Sequence, residues 1–124
     1  MQLGLFYQIQ VPKPWTAESE SQRFWEMMEQ VTYAEEIGME SVWFVEHHFR
    51  SEWSHSSAPD ITLAALSQRT SKMCLGIAVV LVPLHHPRMW RCGWLPWTSS
   101  AKAGSIWVSD APATPTRWRL LAPT

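Results

Sequence analysis

Ser41-Val42-Trp43-Phe44-Val45 runs without a break into Glu46-His47-His48. The first five residues form an apolar run of strand length, the pattern of a parallel strand covered on both faces. The sudden change to three titratable side chains marks its end. Upstream, residues 3–9 are a second apolar, aromatic segment of strand length, closed by Val11-Pro12-Lys13-Pro14, whose prolines cannot donate to a ladder. Between the two, the sequence predicts a helix that starts near Ser19, with the Ser19 hydroxyl capping free amides and Gln22 reaching back as in a capping box. Phe24, Met27, Met28, Val31 and Ala34 form one apolar stripe at helical spacing. Glu26, Glu29, Gln30 and Glu36 are left to water, and the acidic residues from Glu18 to Glu40 read as a solvated face. Gly38 is a natural stop. Downstream, Pro59 suits a first helical turn, Ile61, Leu63, Ala64, Ala65 and Leu66 carry a second helix towards Thr70, and residues 74–82 give a third strand.

Strand, helix, strand, helix, strand is the order of a parallel α/β sheet, in which right-handed crossovers return each helix to the sheet. No Gly-x-Gly-x-x-Gly or Walker-type turn follows the first strand, so a dinucleotide-binding open sheet is disfavoured and a TIM-type (β/α) barrel is expected. The chain would supply its first three strands and two helices. With 124 residues, a net charge of -1 and 46% apolar content, it describes one globular unit at most, without the basic excess that nucleic-acid binding would call for. No apolar run reaches the roughly 20 residues of a membrane span and no basic stretch marks a secretory signal, so no membrane partner and a cytoplasmic location are expected. Cys74 and Cys92 match no metal-ligand spacing.

In such a barrel, reactive groups sit where strands end. Glu46, His47 and His48 leave the second strand there, and Pro83, His85 and His86 leave the third, so two polar clusters should share one rim. A zinc site built from Glu46, His47, His48 and His55 is conceivable, but His-Glu-x-x-His spacing is absent and no metal is expected. The stripe from Phe24 to Val31 is core packing.

Phe44-Val45-Glu46-His47-His48-Phe49, then Leu75-Gly76-Ile77-Ala78-Val79-Val80-Leu81, then Pro83-Leu84-His85-His86-Pro87, together resemble the opening of the bacterial luciferase-like flavin-dependent monooxygenases. Gly4-Leu5-Phe6 and Glu35-Glu36-Ile37-Gly38 belong to the same resemblance, which extends over residues 1–87. It implies a TIM-type barrel that uses reduced FMN, supplied by a separate flavin reductase, to activate oxygen towards a small organic substrate. One branch of the family uses a deazaflavin instead. It further implies that His47 is catalytic, that Glu46, His48, Ala78 and Val79 lie against the cofactor, with a non-prolyl cis peptide between Ala78 and Val79, and that His85 and His86 line the rim or meet substrate. The intact family forms homodimers or heterodimers. Imidazole is the side chain suited to moving a proton at neutral pH, which gives the role assigned to His47 a physical basis.

The chain divides near residue 88. Residues 1–88 hold 6 Lys or Arg against 10 Asp or Glu, a balance of -4, whereas residues 89–124 hold 4 against 1, a balance of +3. The second part carries Trp90, Trp94, Trp97, Trp107 and Trp118 among scattered prolines and is expected to be irregular, not a domain. Joining each codon's third base to the next codon's first two forces Val from Met89-Trp90, Asp from Trp97-Thr98 and Gly from Trp107-Val108. Other junctions permit the Leu before that Asp, then Ile, Leu, Ser, Lys, Gly and Arg. This is the order the family segment requires, so the tail reads as an out-of-frame translation that begins near Pro87 or Arg88. Two functions compete on the sequence alone: a fragment of a flavin-dependent oxygenase, or a non-enzymatic remnant or partner subunit.

Overall fold

A computed structural model describes residues 3–86 and the backbone of residues 105–109. Strand β1 (Gly4–Tyr7) leads to helix α1 (Ser19–Glu36), β2 (Ser41–Phe44), α2 (Pro59–Leu66) and β3 (Cys74–Ala78); a 3-10 turn (Val82–Leu84) and β4 (Ser105–Ser109) complete the order. The four strands form one parallel sheet in the order β1-β2-β3-β4. The expected strand–helix alternation is present, with the three strands in the expected order, but the third ends at Ala78 and not at residue 82, and α2 ends at Leu66, short of Thr70. The fourth, against β3, is an addition to the expected irregular tail. Its Ile106, Trp107 and Val108 are strand-favouring types, and the β3 edge would otherwise offer unpaired amides and carbonyls. The tail's remaining residues, the predicted frame junction at Pro87 and Arg88, and Cys92 lie outside the described residues.

Alternation along the strands sends Val42, Phe44, Leu75 and Ile77 to the helical side, where they are buried with Met27, Val31 and Ala34 of α1 and Leu63 and Leu66 of α2. Phe24 and Met28 flank this cluster, so the predicted stripe of α1 is its buried face. Tyr7 stacks on Phe44, with ring centroids 5.4 Å apart, and its hydroxyl donates to Gln30 Oε1 at 2.6 Å. The opposite sheet face lacks a helical cover among the described residues: Phe6 is 59% exposed. There Trp43 lies across its register partner Gly76, where an added Cβ would come within 2.4 Å of the indole.

α1 starts where expected, by a different device. Ser19 is the first helical residue, Glu18 precedes it without a side-chain cap, and the Ser19 hydroxyl accepts from the Thr16 amide at 2.9 Å. Gln22 donates to Glu26 Oε1 at 2.8 Å, one turn on, so no capping box forms. The exit follows the sequence: Gly38 has φ +92°, its amide donates to the Glu35 carbonyl at 3.0 Å, and the Met39 amide donates to the Ala34 carbonyl at 2.9 Å, a Schellman close. Glu35 departs from the solvated acidic face. Its carboxylate accepts the amides of Ser71 at 2.9 Å, Lys72 at 2.6 Å and Met73 at 2.6 Å, and so fastens the end of α1 to the chain entering β3.

Candidate functional site

Beyond Phe44 the chain leaves the ladder but not the fold. The Val45 amide donates to the Tyr7 carbonyl at 3.2 Å, and the Val45 carbonyl accepts the buried Ser56 hydroxyl at 2.6 Å. The Glu46 amide then donates to the Val79 carbonyl at 3.3 Å, and the His47 amide to the Ser56 carbonyl at 2.9 Å. The polar triplet at the end of β2 is thus pinned on one side to the loop before α2 and on the other to the chain leaving β3. The Ala78–Val79 peptide at that junction is cis, as the resemblance implies.

Glu46 is the centre of the cluster. Its side chain is 1% exposed, and three groups converge on it: His48 Nε2 lies 2.8 Å from Oε1, His85 Nε2 lies 2.8 Å from Oε1 and 2.9 Å from Oε2, and the Leu81 amide donates to Oε2 at 2.8 Å. Burial alone would push this carboxyl up. The hydrogen bonds from His48, Leu81 and His85 outweigh burial and hold it below the usual carboxylate range, so it stays ionised. Both predicted rim clusters therefore meet, through this one carboxylate.

The other predicted residues fall around it. His47 is exposed, and its ring forms no hydrogen bond with the described residues. Val79 is 41% exposed, Ala78 is half-buried, and His86 is exposed on the rim beside His85. The four donors considered for zinc do not come together: His55 turns to Glu20, with Nδ1 3.0 Å from Oε1. Among the described residues no group of three or more ligating side chains is placed to hold a metal ion.

A cleft of about 750 Å³ opens elsewhere, lined by Phe6, Gln10, Arg23, Met27 and Gln30, beside the edge of β1 that pairs with no strand among the described residues. It lies where a further strand and helix would sit in a closed barrel, and it contains none of the perturbed carboxylates. The strand-end cluster is the stronger candidate, because convergent, buried, ionised groups are what chemistry requires. Sequence reasoning missed the Leu81 amide, the Val79 carbonyl and Ser56. A usable signal was present: a carboxylate directly after a buried strand needs partners, because burying it alone is prohibitive.

No described helix is long and apolar enough to cross a membrane. The chain is similar to 4-hydroxyprotoasukamycin monooxygenase of Streptomyces nodosus subsp. asukaensis, 35% identical over 65 residues, covering 52% of this chain and 17% of the relative. Among solved structures, the monooxygenase RslO1 of Streptomyces bottropensis superposes with a TM-score of 0.73 at 26% identity, over 86% of this chain and 31% of that one. The oxygenating constituent of 3,6-diketocamphane monooxygenase of Pseudomonas putida, a type II Baeyer-Villiger monooxygenase in complex with FMN, gives the same TM-score at 20% identity, over 93% of this chain and 31% of its own, a likeness of fold. The chain thus spans under one third of the solved structures and about one sixth of that curated relative. Residues 1–89 match the luciferase-like monooxygenase family as a whole, and with the parallel sheet and the Glu46 cluster at its strand ends in place, the chain belongs to that family.

Proposed function

We propose that this chain is the N-terminal portion of a flavin-dependent monooxygenase that acts with reduced FMN and oxygen on a small organic substrate. The observation that carries the reading is the rim on which exposed His47 stands beside the buried, ionised Glu46 and the partly exposed His48 and His85. The residues present suit a flavin. Val79 and Ala78 offer an apolar surface for a planar ring, and Phe6 and Trp43 leave an aromatic sheet face open on the side away from the helices. When bound, reduced FMN supplies the electrons that reduce oxygen. The chain's part is to hold the ring against Ala78 and Val79 and to move a proton at the imidazole of His47. A deazaflavin would fit the same surface and is the alternative cofactor. A separate reductase as the source of reduced flavin, and a homodimer or heterodimer as the working assembly, belong to the same proposal.

The second reading, a non-catalytic remnant or partner subunit, is favoured by the sheet itself. Among the described residues the sheet has four parallel strands and nothing pairs with the outer edge of β1, whereas the barrel of this architecture closes on eight. Residues 89–124 as an out-of-frame tail would account for this. The displaced frame places a forced Gly at Trp107-Val108, within the segment that forms β4. The direct test is to resequence across the codons for Pro87 and Arg88, express the displaced frame, and measure FMN binding and substrate-dependent oxygen uptake. FMN binding and turnover are expected, with His47→Ala lowering turnover roughly 10²- to 10⁴-fold. The present frame confirmed in the gene, with no FMN bound by the full chain, would leave ancestry without catalysis.

A further inference from the structure

We propose that Glu46 is a positioning residue for the rim histidines and not itself a contact of the bound ligand: it fixes His48 and His85 as Nε2–H tautomers and leaves Nδ1 of each as the acceptor. This deepens the flavin-site reading and rests on it for the ligand's identity, but not for the geometry. A carboxylate oxygen can only accept, so each Nε2 within 2.8 Å of Glu46 Oε1 must carry the hydrogen. In the neutral imidazole the other nitrogen is then bare. With a side chain only 1% exposed and both oxygens engaged, Glu46 has no face to offer a ligand, whereas the imidazoles are 26% and 37% exposed. With both rings neutral, the group that this part of the rim recognises is an N–H or O–H donor, such as a ring imide or a sugar hydroxyl.

The same carboxylate ties two loops that are 35 residues apart in sequence, because Oε2 takes the Leu81 amide. The chain leaving β3 is thereby held against the end of β2, next to the residue that presents His47. Glutamine has nearly the same shape but one acceptor and one donor in place of two acceptors. It must either keep its oxygen on the histidines and set its amide against the Leu81 N–H, or turn over and force both imidazoles to accept at Nε2.

The experiment is long-range 1H–15N correlation of the full chain, 15N-labelled at histidine, in alkaline buffer. His48→Phe and His85→Phe assign the two rings, and amide exchange is followed at Leu81. In the unsubstituted chain both rings are expected as single Nε2–H tautomers. In Glu46→Gln either the rings convert to Nδ1–H, or Leu81 exchange rises roughly tenfold as one hydrogen bond is lost. Should Glu46→Gln fail to fold, His48→Phe must leave His85 as Nε2–H, and His85→Phe must leave His48 so. Rings that average between tautomers in the unsubstituted chain, or a Glu46→Gln variant that changes neither ring nor Leu81, overturn the proposal. FMN titration of the same samples is a separate readout: failure to bind FMN sinks the flavin reading while the ring signals still decide the role of Glu46.

Discussion

Glu35 and Glu46 are both ionised carboxylates held below the usual range by hydrogen bonds that outweigh burial, yet they stand at opposite ends of the sheet. Glu35, at the end of α1, accepts three consecutive backbone amides from the chain entering β3. Glu46, past the end of β2, accepts one amide and two imidazoles. Glu35 also takes the Ser71 hydroxyl at 3.5 Å, but backbone amides and a serine hydroxyl do not titrate near neutral pH, so it does no more than fix the path of the chain. A carboxylate that binds titratable side chains also sets where protons sit. The division matches the general asymmetry of β/α barrels, with stability at the end where strands begin and chemistry where they finish.

The sharpest way to break this comparison is Glu35→Ala. Three amides lose a charged acceptor at once, and the link between α1 and β3 goes with them. Chemical denaturation should show a loss of about 3 kcal/mol, the higher end for hydrogen bonds to a charged group, with the ring signals of His48 and His85 unmoved. A loss below about 0.5 kcal/mol would mean that water replaces Glu35 without cost, as at ordinary surface positions.

Acid should act on both ends together. Each carboxyl has a folded pKa below its unfolded value, so the stability it contributes is present above the unfolded pKa and disappears as pH falls through the folded one. Denaturation midpoints should therefore hold at neutral pH and decline below about pH 4.5, with a slope of up to roughly 1.4 kcal/mol per pH unit for each extra proton bound on unfolding. Glu35→Gln should flatten that decline in part, and Glu35→Gln with Glu46→Gln should flatten it further. An unchanged slope in the double variant would place the acid sensitivity elsewhere.

At the other end of the sheet, Glu46→Gln is expected to reverse the balance of effects. The half-exposed imidazoles can regain water, so stability should fall by only about 1 kcal/mol. FMN affinity of the frame-restored protein should fall on the order of tenfold, because misplaced supporting groups are felt at the ligand. If Glu35→Ala weakened FMN as much as Glu46→Gln did, the proposed separation of roles would be gone.

These two carboxylates also mark where sequence stops informing. Strand β2 and the triplet after it are legible because the side chains turn from apolar to titratable at a single peptide, and α2 because Pro59 suits only a first turn. Glu46, His47 and His48 could be placed at a strand end for that reason, and His85 by the same reasoning one strand later. That Glu46 and His85 share hydrogen bonds across 39 positions is a fact of tertiary geometry, with no local pattern to announce it. Glu35 reads from sequence as part of a solvated face for a related cause: its neighbour Glu36 does face water, and its partners are three backbone amides, which every sequence possesses, and one serine hydroxyl. The start of α1 was right in place and wrong in device, since Thr16 takes up the hydroxyl that Ser19 was expected to turn forward. β4 escaped because the prolines scattered around it hid five strand-compatible residues.

The smallest effect sharpens the stability end alone. Gly38 closes α1 at φ +92°, a conformation in which an L side chain is strained, yet a Cβ built there meets nothing within 4 Å. Gly38→Ala should therefore cost only the conformational penalty, about 1 kcal/mol, without the repacking that Gly76→Ala would provoke against the Trp43 ring. For a domain of this size that is a fall in melting temperature of about 4–8 °C. Glu35 lies three residues upstream in the same Schellman close, so the two changes are coupled through the last turn of α1. Glu35→Ala with Gly38→Ala should cost less than the sum of the single changes, because a turn already loosened at Gly38 no longer holds the Glu35 carboxylate in register with the amides of residues 71–73. Strict additivity would show that Glu35 is positioned by the body of the helix and that its close only ends it.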